Sequence, residues 1–204
     1  MSEFFFNSVG RAVFALMGAI VLACAASPEA FAQSCYNNDN PNLVQNGGFE
    51  EGAVGSTIPH WKVRWQGTLS NGKPVDPYVT VDNDNAHNGK QELKLGTTDG
   101  ANDIHQGIGS TTAGDVYTIC LWLASSPDPL VGKTSFEVLW NDVSELELIQ
   151  SAESPYQYYA VNVTGTTHDT LRIRERNDKG YYYLDDVAIQ LCSGCVAAPQ
   201  FKKK

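Results

Sequence analysis

From Trp61 onward, stretch after stretch of the chain alternates apolar and polar side chains at every second residue. Trp61, Val63 and Trp65 alternate with Lys62 and Arg64, and Tyr117, Ile119, Leu121 and Leu123 with Thr118, Cys120 and Trp122. The pattern recurs at Phe136, Val138 and Trp140, at Tyr159, Val161 and Val163, and at Leu171 and Ile173 beside Arg172 and Arg174. A period of two sends successive side chains to opposite faces, so each stretch is a strand with one buried face. Further strands are expected at Asn42–Gln45, Tyr78–Val81, Gln91–Leu95 and Tyr181–Leu191, with Asn88-Gly89 as a tight hairpin-type turn. No long helical period interrupts them. About ten short strands in one chain predict an all-β sandwich of two packed antiparallel sheets.

The N-terminus has a different composition. Arg11 precedes an apolar run, Ala12–Ala26, that is shorter than the roughly 20 residues a bilayer span needs. Ser27-Pro28-Glu29 ends the run, and Ala30-Phe31-Ala32 offers an A-x-A cleavage site. Residues 1–32 therefore read as a secretory signal, and the protein is expected to be secreted or periplasmic. Val21-Leu22-Ala23-Cys24 is a loose lipobox, and a lipoprotein anchored through Cys24 is the alternative. Residues 33–41 are a lead-in, 42–191 the β domain and 192–204 a tail. That is one domain of ordinary size, with no further apolar stretch of membrane length.

The formal net charge is −9, and the leader's Glu3, Glu29 and Arg11 barely alter it. Such a chain repels phosphate backbones, so nucleic acid is not an expected partner. Export leaves Cys35, Cys120, Cys192 and Cys195 in a disulfide-permissive compartment. Their connectivity stays open: Cys120 lies within a strand, where a buried thiol is also suited, and Cys192-Ser193-Gly194-Cys195 follows a strand and reads as structural. Catalysis is not expected. There is no G-x-S-x-G, and His60, His87, His105 and His168 lack metal-ligand spacing. Asp185 and Asp186, as neighbours in a strand, would point to opposite faces, a poor arrangement for a paired acid and base.

Two end motifs carry a resemblance: Asn42-Leu43-Val44-Gln45-Asn46-Gly47-Gly48-Phe49-Glu50-Glu51-Gly52 with Trp61, and Tyr182-Tyr183-Leu184-Asp185-Asp186-Val187-Ala188-Ile189. Between them lie Ala86-His87-Asn88-Gly89-Lys90-Gln91-Glu92-Leu93-Lys94-Leu95 and Val116–Trp122. In order and spacing the chain resembles carbohydrate-binding modules of families 4, 9, 16 and 22, which share a galactose-binding-like jelly roll. The resemblance implies a non-catalytic protein that binds poly- or oligosaccharide. It also implies a structural calcium held by Glu50, by Asp185 or Asp186, and by the Lys90 carbonyl. Calcium takes six to eight oxygen ligands, which acids from both chain ends and a loop carbonyl would help supply. Phe49 and Trp61 match core positions, and Trp140 shares a face with Phe136 and Val138.

Sugars offer C–H faces to aromatic rings and hydroxyls to polar groups. Tyr78, Trp122, Tyr158, Arg172 and Arg174 fall opposite their strands' presumed core residues. Placed on one sheet they would line a groove, with the arginines bonding hydroxyls or uronic carboxylates. Trp65 and Tyr182 are expected at its rim. The competing reading is a structural or adhesive envelope protein of the same fold with no sugar specificity.

Overall fold

The computed structural model describes residues 40–66, 78–96, 100–126, 134–149 and 153–192. The expected leader, Cys24, Cys35 and Cys195 lie outside them. Every regular element among the described residues is a strand. In chain order these are β1 Lys62–Gln66, β2 Tyr78–Asp82, β3 Glu92–Gly96, β4 Ala101–Ile108 and β5 Val116–Ser125. They continue with β6 Thr134–Trp140, β7 Val143–Ile149, β8 Ser154–Thr164, β9 Asp169–Asn177 and β10 Tyr182–Leu191. Two five-stranded sheets form, ordered β1-β4-β9-β6-β7 and β2-β3-β10-β5-β8, with every pairing antiparallel. This is the expected all-β sandwich.

The alternation decides what lies between the sheets. Along β9, Leu171 and Ile173 are buried while Arg172 and Arg174 are partly exposed. Ile104, Phe136, Val138, Leu171 and Ile173 from the first sheet meet Leu93, Leu95, Ile119, Leu121 and Leu184 from the second in one core. Phe49, Trp61 and Trp140 are buried in it as well. Burial of such side chains contributes roughly 1.5–3 kcal/mol each, which is what holds the two sheets together.

The chain ends meet on β10. The Leu43 and Val187 amides donate to the Ile189 and Gly47 carbonyls, both at 2.9 Å. Asn42–Gln45 is nevertheless not a strand. The Asn42 side chain itself accepts from Ile189 N–H and donates to the Val187 carbonyl, so it occupies groups a ladder would use. A Cβ on Gly47 would stand 2.0 Å from the Val187 carbonyl oxygen, so only glycine permits this approach. The Asn88-Gly89 turn also differs from expectation, since it lies inside a longer β2–β3 loop, residues 83–91. Two strands are not among those expected: β7, and β4, whose buried residues include Asn102, Asp103 and Gln106.

Candidate functional site

Residues paired across a sheet present their side chains on the same face, so register identifies the outer face of the second sheet. Thr80 pairs Lys94, Lys94 pairs Tyr183, and Tyr183 pairs Ala124. One row along, Asp82 pairs Glu92, Asp185 pairs Trp122, and Trp122 pairs Tyr158. This face carries much aromatic surface. Tyr78 and Tyr181 rings lie 5.1 Å apart, and the Lys94 ammonium sits 4.9, 5.7 and 5.9 Å from the Tyr181, Tyr183 and Tyr78 ring centres. Contacts of this kind hold a cation against the ring faces. Gly96 makes room for Tyr181, whose ring would stand 2.7 Å from any Cβ placed there. Beyond Tyr183, a cleft of about 720 Å³ opens between Asp84, Asn85, Ser125, Ser126, Glu153 and Tyr156. That volume falls within the roughly 300–1,000 Å³ of small-ligand sites.

Beneath the rings lie carboxylates. Glu92 and Asp185 are wholly buried and Asp82 nearly so. Burial, then the charge of Asp82 and Asp185, raises the Glu92 carboxyl above its ordinary range, though the Asn85 amide opposes the rise. Burial and Asp186 push Asp185 up to about 6 against the loop hydrogen bonds. Burial and the carboxylates of Asp185 and Glu92 also push the Tyr156 phenol up. Lys94 answers part of this charge: its ammonium is 2.7 Å from Asp82 Oδ2, and burial does not prevent that contact from raising its pKa.

The chain-end acids converge on the 83–91 loop. Glu50 Oε1 accepts from the Lys90 and Gln91 amides at 2.6 and 2.9 Å. Asp185 Oδ2 accepts from the His87 and Asn88 amides at 2.9 and 3.1 Å. His87 Nδ1 lies 2.7 Å from Asp186 Oδ2. Asp185 and Asp186 therefore do not part to opposite faces as a regular strand would require. The β5–β10 register shifts between Asp185 and Ala188, and Asp186 has φ 50°, so a bulge re-aims the second acid. A Cβ on Gly48 would stand 3.9 Å from Asp185 Oδ1, Asp186 Oδ1 and Glu50 Cγ, so three acids border one hollow. Their oxygens suit a hard cation. Among the described residues no three His, Cys, Asp or Glu side chains form a metal-holding group, so main-chain carbonyls would have to complete the shell. Asp185 fits that role least, because both its oxygens already face backbone amides. Lys90 meets Glu50 through its N–H.

The expected groove is divided by the fold. Tyr78, Trp122 and Tyr158 share the outer face of the second sheet, but Arg172 and Arg174 stand on the outer face of the first, in β9. There Arg172 pairs with Asp103 and Asp142 and Arg174 with Glu137 and Asp103, over distances of 2.5–3.6 Å. Asp103 is buried, and its carboxyl is raised by that burial even beside two guanidinium groups. These arginines neutralise a structural acid. Tyr182 is not at a rim: it is 1% exposed, and its ring lies 5.5 Å from Phe136 in the core. Leu184, two residues on and also buried, sets that parity. The Trp65 side chain lies outside the described residues. Trp122 is packed on one face by His87, whose ring stacks at 4.0 Å, and meets Tyr158 edge-on at 5.3 Å.

No protein-family model matches the sequence, and no curated protein sequence matches it. Solved structures do match in fold. A family 61 carbohydrate-binding module, described in complex with β-1,4-galactotriose, aligns at TM-score 0.52 and 16% identity, over 73% of this chain and 97% of that one. The CBM22-1 xylan-binding domain of Paenibacillus barcinonensis Xyn10C aligns at 0.51 and 17% identity, over 76% and 97%. The enzymatically active domain of bacteriophage CBA120 tailspike protein 4 aligns at 0.53 and 19%, over 74% of this chain but 21% of that one. The fold is a jelly roll shared with these carbohydrate-binding modules and with part of the tailspike domain.

Within this jelly roll, sequence reasoning missed Tyr156, Tyr181, Tyr183, Lys94 and His87. Lys94 and Tyr183 were legible in principle. Leu93 and Leu95 flank Lys94 as core residues, and Leu184 follows Tyr183, so both point outward. His87 carried no such signal, because a loop and not a strand delivers it.

Proposed function

We propose that this protein is an exported, non-catalytic carbohydrate-binding protein that holds a poly- or oligosaccharide against the outer face of its second sheet. The observation that carries the reading is the tyrosine-lined cleft, in which Tyr183 and Tyr156 rings stand beside Ser125, Ser126, Ser154 and Asn85. Rings give a sugar's C–H face its contact, and hydroxyls and amides orient it. The fold supports the reading, since neighbours of the same architecture are described with galactotriose and as xylan-binding. The face opposite, with Arg172 and Arg174, is assigned no ligand.

Export rests on the leader at residues 1–32, with release at Ala32 and with anchoring through Cys24 as the alternative. In that compartment Cys35, Cys120, Cys192 and Cys195 can form disulfides, with the pairing left open. A structural calcium at Glu50 and Asp186, completed by main-chain carbonyls of the surrounding loops, would tie both chain ends to the 83–91 loop. Because it would bind only the folded chain, chelation should lower the melting temperature.

Affinity electrophoresis through gels containing a panel of soluble polysaccharides tests the function. Retardation by at least one glycan is expected, weakened roughly tenfold, or about 1.4 kcal/mol, by Tyr183→Ala. Arg172→Ala should leave it unchanged. Failure of every glycan to retard the folded protein would favour a structural or adhesive role. One observation already leans that way: His87 covers Trp122 and Lys94 sits among three tyrosines, so these rings are partly occupied from within.

A further inference from the structure

The charge around the cleft is one-sided. Asp84, with a side chain 74% exposed, and Glu153, also exposed, both line it. Asp82, Glu92, Asp185 and Asp186 lie in or beside the same sheet face. Among the described side chains on that face the ammonium is Lys94's, and it is committed: 2.7 Å from Asp82, 3.8 Å from Asp84, and enclosed by three tyrosine rings. A ligand carboxylate or sulfate entering here would meet like charge from Asp84 and Glu153, an unfavourable juxtaposition in an interface.

A second observation concerns hydrogen-bonding capacity and not charge. Glu92 is wholly buried, its Oε1 accepts from the Asn85 amide, and its Oε2 has no partner. The Tyr156 hydroxyl is likewise buried without one. Asn85, whose amide holds Glu92 Oε1, and Tyr156 both line the cleft. Buried acceptors of this kind are uncommon and are normally met by a donor. The cleft thus combines aromatic rings with exposed carboxylates, and both favour a positively charged ligand.

We infer that the cleft takes a glycan bearing protonated amino groups, such as a polymer of 2-amino-2-deoxy sugars, and rejects uronic and sulfated glycans. This rests on the carbohydrate-binding reading above and narrows it. An ammonium beside Asp84 and Glu153 would gain charge-assisted hydrogen bonds, while the sugar ring lies on Tyr183. The same ammonium gains from the tyrosine faces as Lys94 does.

The test is calorimetric titration of the whole protein with a glucosamine oligomer, its fully N-acetylated counterpart of equal length, and an oligogalacturonate, at pH 5.5 and low salt. Glucosamine oligomer should bind at least tenfold more tightly than the acetylated form, the galacturonate should not bind, and added salt should erode the preference. The Asp84→Asn/Glu153→Gln double variant should abolish the preference. Glu145→Gln/Glu147→Gln, which removes equal charge from β7 on the other sheet, should keep it, and this separates the cleft from general attraction of a polycation to an acidic protein. Equal affinity for amino and acetylated forms, galacturonate binding, or loss of the preference in the β7 variant would overturn the inference while leaving carbohydrate binding intact. Binding of no glycan at all would overturn both.

Discussion

Glu175→Gln should stabilise this protein at neutral pH, and the gain should vanish in acid. Glu175 lies on the inward face of β9 and is 1% exposed. Asn102 Nδ2 donates to its Oε1, yet Glu175 Oε2 and Asn102 Oδ1 are both buried acceptors without a donor. A proton on the carboxyl supplies the missing donor. Burial accordingly pushes this carboxyl up to about 8 from an ordinary 4.5, with Asn102 opposing and Asp178 adding to the rise. A raised pKa means that the native state holds a proton the unfolded chain releases. The associated stability is complete below about pH 4.5 and is lost as pH climbs towards 8. Each unit of separation is worth 1.36 kcal/mol, so at pH 7 the two and a half units already crossed cost about 3 kcal/mol. Glutamine keeps the acceptor for Asn102, provides N–H donors for Asn102 Oδ1, and does not titrate. Urea unfolding of both proteins from pH 4.5 to 8 would read the difference. The stability gap should open from near zero to about 3 kcal/mol by pH 7 with an unchanged slope. Parallel pH profiles, or a glutamine variant weaker at every pH, would refute the protonated, buried acid.

Three further perturbations follow from the same structure. Gly89→Ala places a Cβ 2.1 Å from Glu50 Oε1 at φ 69°, so it should cost at least about 1 kcal/mol, read as a lower melting temperature. Arg174→Ala leaves buried Asp103 with a single guanidinium; urea unfolding should show a loss of roughly 1–3 kcal/mol, with glycan retardation unchanged. Tyr182→Ala removes a ring packed on Phe136 and should cost about 3–5 kcal/mol in the same assay, while Tyr182→Phe should cost far less.

What could be read from the sequence was the inside and outside of most strands, and hence the sandwich. Which sheet a strand joins was not legible. Alternation shows that Arg172 and Trp122 both point outward, but a sandwich has two outward faces, and long-range pairing assigns β9 and β5 to different ones. Three consecutive tyrosines, 181–183, carry no parity of their own; Leu184 fixes it, so Tyr182 goes inward and Tyr183 outward. Strand β4 escaped because two of its inward positions, Asn102 and Gln106, are polar. Asn102 is matched to Glu175 and Gln106 to the Gln45 amide and carbonyl, partners that no local pattern reveals. The end motifs were read correctly as neighbours in space. The bulge at Asp185–Ala188, which lets both acids reach one loop, left no mark in the alternation.

That bulge links the chain ends to the outer face of the second sheet. Asp185 and Glu50 hold the backbone of the 83–91 loop from two sides, through His87, Asn88, Lys90 and Gln91 amides. The held loop carries His87, and His87 is stacked on Trp122 at 4.0 Å and meets Tyr156 at 5.1 Å. Tyr156 in turn walls the cleft. Glu50→Gln therefore acts on more than stability. A neutral amide accepts the Lys90 and Gln91 amides more weakly than a carboxylate does, since charge-assisted bonds are roughly twice as strong as neutral ones. The loop would loosen, and His87 would spend less time over Trp122. Indole fluorescence in the folded protein should then change on Glu50→Gln, and the change should be absent when Trp122 is replaced by Phe. An unchanged spectrum together with a lowered melting temperature would show that the staple serves the fold alone, and that the proposed ligand face is positioned independently of the chain ends.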